Sequence, residues 1–120
     1  MRFALALAAL VVVSAASAAT ATHVAVTPAI GKRTTTYVVE FVAPSAGRYA
    51  VEIAGPPGRC DLARFGPGRR VAKGHQMRIK LEPDLRGWCR GRYRVTVDRY
   101  ATSAPSDRYV VGGQPYFRVR

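Results

Sequence analysis

Histidine, cysteine, tryptophan and acidic residues are all scarce in this chain of 120 residues, and the shortage narrows its chemistry. There are two His, two Cys and one Trp, with seven acidic residues against 19 basic ones. A structural zinc site takes four ligands, and neither His23 nor His75 has ligand spacing to a cysteine. We therefore expect no metal site and no cofactor.

Catalytic motifs are also missing. No Gly-x-Ser-x-Gly elbow surrounds the serines beyond the N-terminal segment, which are Ser45, Ser103 and Ser106. The glycine-rich run GPGRRVAKG at 66–74 lacks the Gly-Lys-Ser/Thr of a phosphate loop. Glu82 and Asp84 are close enough in sequence for acid–base chemistry, but acidic residues are common in such turns. The chain is predicted not to be an enzyme.

The one long apolar run lies at the N-terminus and is too short for a membrane anchor. Arg2 precedes 11 apolar residues, Phe3 to Val13, whereas a bilayer needs about 20. Ala16-Ser17-Ala18 follows as an A-x-A cleavage site, with a second site one residue later. We predict a signal peptide at 1–18 and a secreted domain at 19–120 that keeps no transmembrane anchor after cleavage.

The two cysteines, Cys60 and Cys89, both belong to the predicted secreted domain. Two cysteines in a small exported domain are typical of one disulfide rather than a metal site. Closing a loop of this length stabilises a protein by roughly 3–4 kcal/mol, mainly by restricting the unfolded chain. We therefore predict a structural Cys60–Cys89 bond.

Period-two alternation of apolar and polar residues is the strongest internal pattern, and helical periodicity is absent. QMRIKLE, RYRVTVD and RYAVEIA alternate strictly, and TYVVEFV is apolar on both faces, as in a central strand or one covered by a loop. HVAVT and YFRVR are weaker strands. The residues of shared parity predict one core: Tyr37, Val39, Phe41, Tyr49, Val51, Ile53, Ile79, Leu81, Tyr93, Val95, Val97, Phe117 and Val119.

The motif Gly-Arg-Tyr-x-Val occurs twice, as GRYAVEI at 47–53 and GRYRVTV at 91–97. Nothing else repeats at this 44-residue offset, so we interpret it as a structural element, a turn that ends in glycine and begins a strand. Short strands separated by turns about every ten residues indicate a β-sandwich. The predicted fold is all-β, with six or seven antiparallel strands and one disulfide.

The runs VAVTPAIGK and LEPDLRGWCRGRYRVTV, with the Gly-x-Tyr-x-Val strand between them, resemble small bacterial immunoglobulin-like or fibronectin type III-like domains. The resemblance implies a sandwich in which the tyrosine fixes a corner, and a structural or interaction role without catalysis. One departure concerns Cys89, which lies four residues before Tyr93, whereas antibody-type domains place a cysteine two residues after this tyrosine. The disulfide is therefore expected to join the Cys60 loop to the corner without crossing the core.

Basic residues predict a charged face. Arg92, Arg94, Arg118 and Arg120 have outward parity on two strands that are neighbours in an immunoglobulin-like sandwich. Arg78 and Lys80 lie on another strand, where Glu40 could partly neutralise them. The four arginines are either an ordinary solvated surface or a binding site for an anionic polymer outside the cell. Arginine outnumbers lysine 16 to three, which also fits codon bias in a GC-rich genome.

Two aromatic features leave alternatives open. Trp88 is either an exposed stacking platform or a ring packed against the disulfide end of the core. The segment 99–115 contains Tyr100 and Tyr109 and is followed directly by Tyr116, and it is either a recognition loop or a mobile hairpin loop.

The sequence therefore favours a secreted, non-catalytic module with a structural or interaction role, partnered by an extracellular protein. The first alternative is a cationic binder of anionic cell-wall polymer, with no specific nucleic acid as its partner. The second is a secreted enzyme or enzyme inhibitor, whose rigid loop would be the disulfide-tied segment 55–68.

Overall fold

The computed structural model describes residues 22–100 and 108–120, which form an all-β sandwich without helix. The predicted signal peptide at 1–18 lies outside the described residues. The strands are β1 (Ala25–Thr27), β2 (Ile30–Gly31), β3 (Tyr37–Val42), β4 (Arg48–Ala54), β5 (Leu62–Phe65), β6 (Gln76–Leu81), β7 (Gly91–Tyr100), β8 (Arg108–Val111) and β9 (Tyr116–Val119).

The strands form two sheets. A three-stranded sheet has the order β1-β3-β6, and a six-stranded sheet has the order β2-β9-β7-β4-β5, with β8 also paired to β7. β9 pairs with the first part of β7 and β8 with its last part. All pairs are antiparallel except β2 with β9, which run parallel. The predicted two-layer fold with one disulfide is confirmed, and the parallel pair is an addition to it.

Three strands were not predicted, and each has a reason. β2 has only two residues, too few for any alternation to show. β5 has the sequence LARF at the border of its sheet, where it is mostly exposed. β8 lies in the segment 99–115, which has no alternating pattern and is predicted to be a loop; its residues 101–107 lie outside the described part.

The predicted core is confirmed at every position but one. Twelve of its thirteen side chains are at most 2% exposed, and only Ile79 is half-buried. Ile79 belongs to β6, the border strand of its sheet, so one side of it faces the open flank of the sandwich. β3 is the central strand of the smaller sheet, as its two apolar faces indicated. Val24, Val26, Ala43 and Trp88 complete the core.

The repeated Gly-Arg-Tyr motif forms the same corner twice. Tyr49 donates its hydroxyl hydrogen to the carbonyl of Ser45 at 2.6 Å, and Tyr93 donates its own to the carbonyl of Cys89 at 3.2 Å. In both cases the acceptor lies four residues upstream, the geometry of a tyrosine corner. Because β4 and β7 are antiparallel neighbours, the two corners lie at opposite ends of the sandwich. We call these the Tyr49 end and the disulfide end.

The Cys60–Cys89 disulfide is formed, as predicted, with its Cα atoms 6.0 Å apart. Cys60 lies in the turn between β4 and β5, and Cys89 lies in the connection that leads from β6 into β7. The bond therefore joins two connections at one end of the sandwich and does not cross the core between paired strands.

Candidate functional site

The four predicted arginines lie together on the outer face of the six-stranded sheet. Arg92 is directly opposite Arg118 in the β7–β9 register, and Arg94 is two residues further along β7. Arg120 follows β9 on the same side as Arg118. All four are exposed. We call this group, Arg92, Arg94, Arg118 and Arg120, the basic face.

The backbone beneath the basic face is held firmly in place. The amide of Arg118 donates to the carbonyl of Ala29 at 2.8 Å, and that of Arg120 donates to Gly31 at 2.9 Å. The carbonyl of Arg118 accepts the hydroxyl of the buried Tyr37 at 3.2 Å. The chain can therefore hold two arginines opposite each other, although like charges in that position destabilise a sheet.

Acidic side chains pair with arginines that lie outside the basic face. Arg78 Nη1 is 3.0 Å from Glu40 Oε2, which confirms the predicted contact on the three-stranded sheet. Arg64 bridges two carboxylates, with Nη1 3.4 Å from Glu52 and Nη2 3.9 Å from Asp98. Within residues 22–100 and 108–120, no carboxylate lies within 4.0 Å of a basic-face guanidinium.

Asp98 shares a strand and a face with Arg92 and Arg94, but it does not neutralise them. It lies four residues beyond Arg94, about 13 Å along an extended strand. Its side chain is buried, with only 2% of the residue exposed, and it contacts Arg64. The negative charge on β7 is thus confined to the end of the strand remote from the basic face.

An aromatic residue that was not predicted from the sequence lies on the same surface as the basic face. Tyr116 is 46% exposed and lies opposite Arg94, and the guanidinium carbon of Arg92 is 4.4 Å from its ring centroid. Ile30 of β2 lies next to Arg118 and is 50% exposed. Tyr116 begins the predicted strand YFRVR and has the parity of Arg118 and Arg120, which could have placed it here, but it was grouped with the tyrosines of the neighbouring loop.

Trp88 is not an exposed stacking platform. It is 7% exposed, and its ring centroid lies 5.5–5.9 Å from those of Tyr37, Tyr93 and Phe117. Its indole Nε1 donates to the carbonyl of Thr35 at 2.7 Å. The ring is therefore the centre of an aromatic cluster that fills the disulfide end of the core, the second of its two predicted alternatives.

Burial also changes the acidity of this cluster. It raises the pKa of Tyr93, and the hydrogen bond with the Cys89 backbone opposes that rise only in part. Burial raises the pKa of Tyr37 as well, with a smaller contribution from neighbouring Tyr93. Both hydroxyls are therefore hydrogen-bonded structural groups at neutral pH.

The other polar residues of the sequence that could carry chemistry do not come together into one site. Asp84 Oδ1 accepts the backbone amide of Arg86 at 2.8 Å and Oδ2 lies 3.6 Å from Arg59 Nη1, so this carboxylate orders a turn. Ser45 is engaged by the Tyr49 corner, and Ser103 and Ser106 lie outside the described residues. No group of three or more His, Cys, Asp or Glu side chains in the described part could hold a metal ion.

Comparison with family models, with curated proteins and with solved structures found no match to this chain. Across residues 22–100 and 108–120, no helix has the length and apolarity needed to cross a membrane. The disulfide is typical of proteins that fold in an oxidising environment such as the outside of the cell.

Proposed function

We propose that the protein is a secreted, non-catalytic interaction module that attaches to anionic extracellular polymers through the basic face. The observation that carries the proposal is the grouping of four exposed guanidinium groups on one sheet face, with no carboxylate of the described residues in contact. Several such groups bind a polyanion together, because each anionic group that they neutralise releases counterions.

Secretion and membership of the immunoglobulin-like class of sandwich domains belong to the same proposal. The disulfide, the two-sheet order and the tyrosine corner at Tyr93 support them, since such a corner is a hallmark of immunoglobulin domains. Three other arginines, Arg59, Arg64 and Arg78, are each paired with a carboxylate, whereas the basic-face arginines have no such partner among the described residues.

Retention on immobilised heparin, measured as the salt concentration at elution, tests the proposal. Replacing the four basic-face arginines by Ser should abolish retention, with little change in the thermal midpoint because all four side chains are exposed. A control with the same charge loss replaces four exposed residues of other surfaces by Ser: Arg69, Lys73, Lys80 and Arg86.

The control variant should keep most of its retention. Equal losses in the two variants would mean that net charge alone binds the polymer, and the proposal would be wrong. Binding should also weaken steeply with salt, by roughly 0.7–0.9 in log K per unit of log salt for each phosphate neutralised on a nucleic acid used as a model polyanion. A salt-independent affinity would equally contradict the proposal.

A further inference from the structure

A cleft with a volume of about 190 Å³ opens at the disulfide end, between β5 and the connection that follows β6. Its floor consists of buried core side chains, Ile53, Trp88 and Tyr93. Leu62 and Phe65 of β5 form one wall, and the charged residues Arg59, Glu82 and Asp84 form the rim. The cleft lies at the open flank of the sandwich and is separate from the basic face.

The size and lining of the cleft fit a single side chain. Small-molecule sites usually occupy roughly 300–1,000 Å³, so this cleft is too small for most of them. The floor and wall are apolar, whereas the rim is charged. A long side chain with an apolar stem and a charged tip matches such a surface, as lysine and arginine do.

The charges on the rim determine whether the tip of the bound side chain should be positive or negative. Arg59 Nη1 lies 3.6 Å from Asp84 Oδ2, and its Nη2 donates to the carbonyl of Gly87 at 3.2 Å. Glu82 makes no ion pair with any described residue. In a chain with a formal charge of +12, this carboxylate beside an apolar cleft is complementary to a cation.

The backbone next to the cleft is also unpaired. The amide of Gly55 donates to the carbonyl of Asp61 at 3.2 Å, which shows that odd-numbered residues of β5 bond to β4. Hydrogen bonding alternates along an antiparallel strand, so the N–H and C=O groups of Leu62 and Arg64 face away from β4. Among residues 22–100 and 108–120, β5 is the last strand of its sheet, and these groups form a free edge within that part of the chain.

We propose that the β5 edge and its cleft bind an extended peptide segment that carries a lysine or arginine. The segment adds to β5 as an antiparallel strand, with the residues opposite Leu62 and Arg64 supplying the hydrogen bonds. The residue between them, opposite Ala63, points inward, so its basic side chain enters the cleft and its tip reaches Glu82. This site does not depend on the proposed polyanion binding.

Titration of the isotope-labelled protein with the peptide acetyl-Thr-Val-Lys-Val-Thr-amide, followed by NMR, tests the proposal. Amide signals of Leu62 and Arg64 should shift and gain protection from solvent exchange, while those of Arg92 and Arg118 should not. N-methylation of the two valines should weaken binding about tenfold, because it removes hydrogen bonds to β5. N-methylation of the lysine should be tolerated, since its N–H faces solvent.

The role of the positive charge is tested by replacing the lysine of the peptide with norleucine and, in the protein, by Glu82→Gln. Each change should weaken binding about fivefold, and together they should cost little more than either alone, because both remove the same ion pair. Glu40→Gln, on the outer face of the other sheet, should have no effect. Absence of binding, signal changes away from β5, equal effects of the two kinds of N-methylation or additive effects of the charge changes would overturn the proposal.

Discussion

The two Gly-Arg-Tyr corners are nearly identical locally, yet they lie in very different surroundings. At the disulfide end, Tyr93 is part of an aromatic cluster with Trp88 and Phe117, and the Cys60–Cys89 bond lies beside it. At the Tyr49 end, the ring contacts one other aromatic residue, Phe41, at 5.3 Å between centroids. The motif therefore specifies how a strand begins, whereas the distant residues around it determine how much each end contributes to stability.

Removing Trp88, the centre of the aromatic cluster, should produce the largest difference in stability between the two ends of the sandwich. Trp88→Ala leaves a cavity among three rings and removes the hydrogen bond to Thr35, so we expect a loss of about 3–5 kcal/mol in the free energy of unfolding. Phe41→Ala is the matched change at the Tyr49 end, and it should cost less because only one ring contact is lost. Urea unfolding monitored by circular dichroism measures both. A larger loss in Phe41→Ala would show that the two ends are ranked in the wrong order.

Removing the disulfide should have the next largest effect. Replacing both Cys60 and Cys89 by Ser should lower the free energy of unfolding by about 3 kcal/mol, because the unfolded chain regains the freedom of a loop with a separation of 29 residues. Because the bond also ties together the two connections at the disulfide end, hydrogen exchange should quicken more around Tyr93 than around Tyr49. An unchanged urea midpoint, or an equal increase in exchange at both ends in native conditions, would contradict a local stabilising role.

The two corner hydroxyls can be compared directly. Tyr93→Phe leaves the N–H of Cys89 without its 2.9 Å acceptor, whereas the corresponding contact from Ser45 to Tyr49 is longer, at 3.4 Å. We expect a loss of about 1–2 kcal/mol in Tyr93→Phe and about 1 kcal/mol in Tyr49→Phe. Thermal unfolding of both variants in one buffer gives the difference, and a costlier Tyr49→Phe would show that the corner at the Tyr49 end is the stronger one.

The smallest expected effect is a difference between Tyr93→Phe and the parent protein in how stability changes at alkaline pH. Burial raises the pKa of Tyr93 above its ordinary value of about 10. Between that value and the higher folded-state pKa, the unfolded chain binds fewer protons, so the free energy of unfolding falls as the pH rises; below about pH 10 this contribution is fully present. Urea midpoints measured from about pH 9 to 11 should therefore fall less in Tyr93→Phe than in the parent protein. If the urea midpoints of the two proteins fell in parallel with rising pH, Tyr93 would be excluded as a source of the loss of stability.

The layout of the sandwich could be predicted from the sequence because alternation reports directly which side chains share a face. Tyr93, Val95 and Val97 are all buried as their parity required, and Arg92 and Arg94 are exposed on the opposite side. The basic face followed from the same rule once its two strands were taken to be neighbours. Tyr116 obeys that rule too, and it was missed because it was considered together with the tyrosines of the neighbouring loop rather than with Arg118.

The cleft beside β5 could not be predicted in the same way. Besides the core residues Ile53 and Tyr93, its lining comes from a turn with Arg59, a border strand with Phe65 and a connection with Glu82 and Trp88, and no spacing rule relates these segments. The burial of Asp98 was equally invisible, because it depends on Arg64 and on its place at the far end of β7. Such features depend on how separate segments meet, which alternation within one segment does not report.

The parallel pair of β2 and β9 has a mechanical consequence. Tension applied to the two ends of the domain would pull these strands past each other along their length, so the bonds from Arg118 to Ala29 and from Arg120 to Gly31 would carry the load together rather than break one by one. Single-molecule pulling should show a lower rupture force in Arg120→Pro, which lacks one of these donors. A module anchored to a polymer network by its last strand would thus resist extension at the same strand that holds it there.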